Sequence, residues 1–195
     1  LADFQPGAVK IGMLASDDVL RSVALGLERL AAEVPVVIDP VLAASDGTPL
    51  LEKRAWPGLR ALMQGRSLVT PNLLEAALLS ECETDSRHGC EAAARVLVED
   101  FGARAALIKG GHRAGAPDDL LACAGPSGLE LHWLAGERIE TAPVHGTGCA
   151  RSAAIAARLA RGESLRAAVD GARAFVAAAI RAAESDTLPG TTSTI

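Results

Sequence analysis

The sequence contains no tyrosine, and aromatic residues fill only 3% of its 195 positions. The chain is 49% hydrophobic, so its core must be built from Ala, Leu, Val and Ile, and it is long enough for one globular domain with a substantial interior. Basic runs are missing as well. The net charge is −5 and arginines stand singly among Ala and Leu, which argues against nucleic acid as a partner. No apolar stretch is long and uninterrupted enough to cross a bilayer. The Ala-rich segment near the C-terminus carries Asp170, Arg173 and Arg181, so it reads as the helix of a soluble domain and no membrane partner is expected. Paired-cysteine motifs are lacking: Cys82, Cys90, Cys123 and Cys149 form no C-x-x-C. Disulfides are not expected in a chain with this much core, and a reducing cytoplasm is the natural compartment. Cys82, His88 and Cys90 lie close together but match no zinc spacing. No secretory leader, internal repeat or domain-separating linker is read, so residues 1–195 are taken as a single domain with a loose tail over 185–195.

What is present alternates. Ala8 to Leu14 reads as a buried strand, and Ser16-Asp17-Asp18 caps a helix through about Ala32. Pro35 to Ile38 is a second strand, followed by a turn-rich loop over 44–49 and a helix over roughly 51–63 that Pro57 interrupts. Ser67 to Thr70 is a third strand, leading through Pro71-Asn72 into a short helix, then a further helix over 89–101 and a strand over 105–108. Gly125-Pro126-Ser127-Gly128 separates two apolar runs and predicts an antiparallel hairpin. A strand over 138–141 and two Ala-rich helices, over 150–161 and 164–183 with Gly162 between them, complete the expected order. This alternation predicts an α/β domain with a central, mostly parallel sheet covered by helices on both faces. In such sheets ligands gather at the carboxyl ends of the strands.

Four groups of polar residues fall at those ends. Val144-His145-Gly146-Thr147-Gly148-Cys149 puts two glycines before a helix, where a tight bend and unpaired N–H groups make an anion site. Cys149 stands at its rim, a position that favours the thiolate; as an alternative it is a small buried thiol. Asp39 ends the second strand, where it also reads as a turn-forming Asp-Pro. Asn72 and Glu75 have N-x-x-E spacing, that of a capping-box-like helix start. Lys109 precedes two glycines at the same edge.

Six segments together resemble the ribokinase-like small-molecule kinases, and among them the hydroxymethylpyrimidine and hydroxymethylpyrimidine-phosphate kinases. They are Val9-Lys10-Ile11-Gly12-Met13-Leu14, Ile38-Asp39-Pro40-Val41, Ser45-Asp46-Gly47 with Pro49-Leu50-Leu51, Thr70-Pro71-Asn72-Leu73-Leu74-Glu75-Ala76, Lys109-Gly110-Gly111-His112, and His145-Gly146-Thr147-Gly148-Cys149. The resemblance implies a three-layer ribokinase-like fold and ATP- and Mg²⁺-dependent phosphorylation of the thiamine pyrimidine or its monophosphate; a homodimer is expected because it is the commonest assembly. It implies that Gly146, Thr147 and Gly148 form the anion hole and that Cys149 receives the hydroxyl proton or positions the hydroxyl. By the same resemblance Lys109, Asp39, Asn72 and Glu75 hold the nucleotide phosphates. Glu75 and Asp39 serve Mg²⁺, directly or through water. Met13 and Val41, with Cys149, line the pyrimidine pocket; on the sequence alone both apolar residues read equally well as core. His112 and His145 belong to these motifs without an assigned role.

The sequence departs from the family pattern in three places. The family's opening segment, with an Asp-x-Ser-Gly-Gly-Ala-Gly-like stretch, has no counterpart, and the chain opens Leu1-Ala2-Asp3-Phe4. The expectation is therefore an incomplete view of a longer kinase, binding nucleotide better than pyrimidine. Ala150 and Arg151 replace the usual threonine and small apolar residue, and the usual Gly-rich closing segment is absent. The competing expectations are a pyridoxal-type kinase on the same fold and a non-catalytic nucleotide- or pyrimidine-binding module.

Overall fold

In the computed structural model, residues 5–44, 46–111, 117–139 and 146–186 are described. The chain runs β1 (Val9–Ile11), α1 (Asp17–Leu27), β2 (Val36–Ile38), α2 (Trp56–Leu62), β3 (Ser67–Val69), α3 (Leu73–Ser80), α4 (Arg87–Arg95), β4 (Ala105–Ile108), β5 (Asp119–Gly125), β6 (Gly128–Leu134), α5 (Thr147–Ala160) and α6 (Leu165–Asp186). The strands lie in one sheet in the order β1-β2-β3-β4-β5-β6. β1 to β4 are mutually parallel, while β5 and β6 form the expected hairpin and pair antiparallel.

Strand alternation divides the interior into two cores. Val36 and Ile38 of β2 face one side, where Leu20, Leu59, Leu79, Cys90 and Leu97 pack from the helices that link the parallel strands. Val37 faces the other side, meeting Ile155, Ala156, Ala168, Val169 and Ala172 of α5 and α6. Helices therefore cover both faces and the architecture is the three-layer α/β arrangement read from the sequence. Ala dominates the α5–α6 side, which lets those two helices approach the sheet and each other closely.

Several element limits move, each for a local reason. β1 spans three residues, because only those pair with β2. α1 stops at Leu27 rather than Ala32. The carbonyls just beyond it are taken by the Arg66 guanidinium, which donates to Leu27, Leu30 and Ala31. Pro57 starts α2 instead of interrupting it, at a helical position where no N–H is required. The helix α4 passes into a π-helical turn over Val96–Asp100. Gly162, at φ +81°, turns the chain between α5 and α6. Arg138 and Ile139 lie in no strand; residues 140–141 are outside the described residues. α6 continues to Asp186, so the expected loose tail does not begin at 185, and residues 187–195 are outside the described residues.

Candidate active site

The carboxyl ends of β2, β3 and β4 meet the start of α5. Asp39 follows β2 and is buried at 2% exposure. Its Oδ1 accepts from Lys109 Nζ at 2.8 Å and from Thr70 Oγ1 at 3.2 Å. Its Oδ2 lies 3.2 Å from Ser152 Oγ, which also lies 3.0 Å from the Cys149 carbonyl oxygen. One hydroxyl proton serves these two acceptors in turn, so Ser152 ties the first turn of α5 to the end of β2. The Lys109–Asp39 pair is withdrawn from water, with side chains 12% and 3% exposed. Losing one partner of such a pair leaves an uncompensated charge, at a cost of about 3–5 kcal/mol.

Lys109 is held at this depth by the backbone. Its N–H donates to Pro71 O at 2.9 Å, and the residue forms an isolated parallel bridge with Asn72. Asn72 caps α3: its side chain accepts from Glu75 N at 2.9 Å, while Asn72 N donates to Glu75 Oε2 at 2.8 Å. The capping box is therefore real. Burial pushes the Glu75 carboxyl above its usual range, an effect opposed by the charge of Lys109 and by the Asn72 backbone N–H. Glu75 is electrostatically coupled to both Lys109 and Asp39, so the capping residue stands beside the same cluster.

The glycine motif takes a different form from the expected loop. Gly146 is the N-cap, at φ +89°, a left-handed conformation that glycine adopts without strain. Thr147, Gly148 and Cys149 are the first helical residues, and the first intrahelical bond shown runs from Ala150 N to Gly146 O at 2.9 Å. The three preceding N–H groups have no carbonyl within the helix to bond and point out of its positive end. A Cβ on Gly148 would stand 3.3 Å from Lys109 Nζ, so the ammonium lies directly against this turn. Cys149 is exposed at its rim. The Lys109 ammonium thus lies against the first turn of α5, with the Cys149 thiol exposed at its rim.

Not every expected residue joins this cluster. Val41 is half-buried and its N–H donates to Asp39 O at 2.9 Å, which places it beside the site. Met13 is 57% exposed and so is not a core residue; it stands on the segment after β1, at the same sheet edge. His112 and His145 lie outside the described residues. Among the described residues no group of three or more His, Cys, Asp or Glu could hold a metal ion, and Cys82, His88 and Cys90 form no such set. All four cysteines are thiols. No helix of the described residues is long and apolar enough to cross a membrane. Thr70 and Ser152, both buried, join the cluster without a role assigned from the sequence.

The family described as phosphomethylpyrimidine kinase matches residues 1–192. The chain belongs to that family. A hydroxymethylpyrimidine/phosphomethylpyrimidine kinase of Streptomyces coelicolor is 43% identical over 181 residues, which cover 90% of this chain and 63% of the relative. The chain thus spans a little under two thirds of that relative's length. Among solved structures, a phosphomethylpyrimidine kinase from Clostridium difficile 630 superposes with a TM-score of 0.76 at 26% identity, covering 92% of this chain and 71% of that one. A pyridoxal kinase from Staphylococcus aureus in complex with AMP-PCP gives 0.78 at 31% identity, over 90% and 63% of the two chains. The fold of this family member is ribokinase-like.

Proposed function

We propose that the protein transfers the terminal phosphoryl group of ATP to 4-amino-5-hydroxymethyl-2-methylpyrimidine, to its monophosphate, or to both, in thiamine biosynthesis. The observation that carries this reading is the placement of Lys109 Nζ against Gly148 in the first turn of α5. Phosphoryl transfer demands charge neutralisation around the moving group and an acceptor oxygen in line with it. The amides of Thr147, Gly148 and Cys149 supply fixed dipoles for that charge, and Lys109 supplies a mobile cation. Asp39, fixed by Thr70 and Ser152, orients Lys109 until phosphate competes for it. Cys149 Sγ receives the proton of the hydroxymethyl group as its oxygen attacks phosphorus and ADP departs. Met13, exposed at the same sheet edge, and Val41 offer apolar surface to the pyrimidine ring.

The residues present fit a bound Mg²⁺. This ion takes few protein carboxylates and keeps several waters. Glu75 retains acceptor capacity beyond its bond to Asn72 N and would hold one of those waters. Asp39 already accepts three side-chain contacts and is better suited to outer-sphere support. When bound, the ion offsets charge on the phosphates; the positioning of Lys109 and Cys149 does not depend on it. Free thiols throughout suit a cytoplasmic setting, and the homodimer common among soluble oligomers is the assembly expected; sedimentation at several concentrations checks it.

The deciding experiment offers purified protein ATP and Mg²⁺ with hydroxymethylpyrimidine, its monophosphate and pyridoxal in parallel. Phosphorylation of either pyrimidine in preference to pyridoxal is expected. The likeness to the pyridoxal kinase from Staphylococcus aureus makes preferential pyridoxal turnover the informative failure. Nucleotide binding without any turnover would identify a binding module instead.

A further inference from the structure

A cavity of about 440 Å³ opens beside the start of α5, walled by Thr147 and Arg151 of α5, Arg173 and Ala177 of α6, and Gly111 after β4. At its floor Asp119 is buried at 2% exposure and accepts from Gly110 N at 2.9 Å through Oδ1. Its other oxygen accepts from both Arg151 Nη1, at 3.0 Å, and Arg173 Nε, at 2.9 Å. Two guanidinium groups on one carboxylate leave a net positive charge facing the cavity. The acids elsewhere in the wall do not cancel it, because Asp170 is paired with Arg166 and Glu137 with Arg181. The two arginines then differ. Arg173 donates its Nη2 to the carbonyls of Leu134 and Ala135 at 3.1 and 2.6 Å, so it is fastened to the end of β6. Arg151 has unspent capacity: its Nε is buried without a hydrogen-bond partner.

Arg151 stands four residues after Thr147, which puts it on the same face of α5 and roughly 6 Å further along the axis. An anion held by the first-turn amides therefore has Arg151 as its next neighbour on the cavity side. Guanidinium groups match phosphate oxygens in geometry as well as charge. We propose that Arg151 reads the diphosphate part of the nucleotide, with Asp119 and Arg173 holding it in position, and so sets the preference for a polyphosphorylated nucleoside. This inference rests on the kinase reading of the same site.

Titration calorimetry of Arg151→Met and Arg151→Gln with ADP and, separately, with adenosine tests it. The Gln variant keeps one donor for Asp119 and guards against a fold lost with the longer truncation. Expected are a roughly tenfold or greater loss of ADP affinity in both variants, the scale of a hydrogen bond to a charged group, and unchanged adenosine affinity. Equal ADP affinity in wild type and a folded variant would overturn the proposal. So would a parallel loss of adenosine and ADP, which marks a structural role. If the wild type itself binds neither ligand, the nucleotide reading of the site fails first and this inference falls with it.

Discussion

At the scale of single residues, the exposed Cys149 thiol and the buried Glu75 carboxyl make opposite demands on a test. Cys149→Ala removes the proposed proton acceptor from the rim of the α5 turn while leaving the amides and Lys109 in place. Turnover is expected to fall by about 10²–10⁴-fold with ADP affinity little changed; unchanged turnover in steady-state assays would exclude the thiol from the chemistry. Glu75 is better examined through pH. Because burial raises its pKa in the folded chain, its contribution to stability is greatest below the ordinary glutamate value and declines as pH rises through the raised one. Glu75→Gln abolishes that titration and preserves the capping box. Its melting temperature relative to wild type should therefore improve as pH rises above the ordinary glutamate value of about 4.3, and a difference that stays constant with pH would refute the burial argument. Asp39, Asn72, Glu75 and Lys109 were legible in the sequence because each interrupts an apolar run at a strand end. Ser152 and Thr70 were not. A serine in an Ala-rich helix carries no local mark, and its meaning appears only through Asp39, distant in the chain. Met13 was half legible, since an apolar residue beside a strand reads as core until the strand is seen to end before it.

At the scale of elements, the β4–β5 connection shows how tightly the lysine end of the site is built. A Cβ on Gly110 would sit 1.9 Å from the Asp118 carbonyl oxygen, whereas one on Gly111 would meet nothing within 4 Å. Backbone cannot step aside as a side chain can. Gly110→Ala is expected to destabilise the fold by about 1–3 kcal/mol, and Gly111→Ala by no more than about 0.5 kcal/mol, in denaturant titrations. Equal effects would mean that the connection yields. The hairpin was legible because Gly125-Pro126-Ser127-Gly128 admits few alternatives between two apolar runs. The start of α5 was misplaced by three residues for a physical reason: Thr147 and Gly148 are poor helix formers, but a first turn needs only the right dihedrals and no N–H partners. The 138–141 segment failed as a strand in its first two residues, where apolar character is weak and the charge of Arg138 belongs to the cavity wall.

At the scale of the whole molecule, alternation of strands and helices announced a parallel sheet, but not the uninterrupted order of its strands or the assignment of one entire face to α5 and α6. Those follow from contacts between distant segments, which no local pattern encodes. They also impose a schedule. Each parallel pair from β1 to β4 is joined by the helices between them and can form from neighbouring chain. The Asp39–Lys109 contact spans 70 residues and the Asp39–Ser152 contact 113, separations that slow folding because the intervening loop must close first. Phosphate-holding competence should therefore arrive late. With Trp133→Phe, Trp56 becomes the sole tryptophan, packed against the core on the α1–α4 side. In stopped-flow refolding its signal should precede the recovery of binding to a fluorescent ADP analogue, and a single shared rate would show one concerted step instead. A ribosome-bound chain interrupted before α5 would then already own its sheet and its lysine, yet lack the helix start against which that lysine is set.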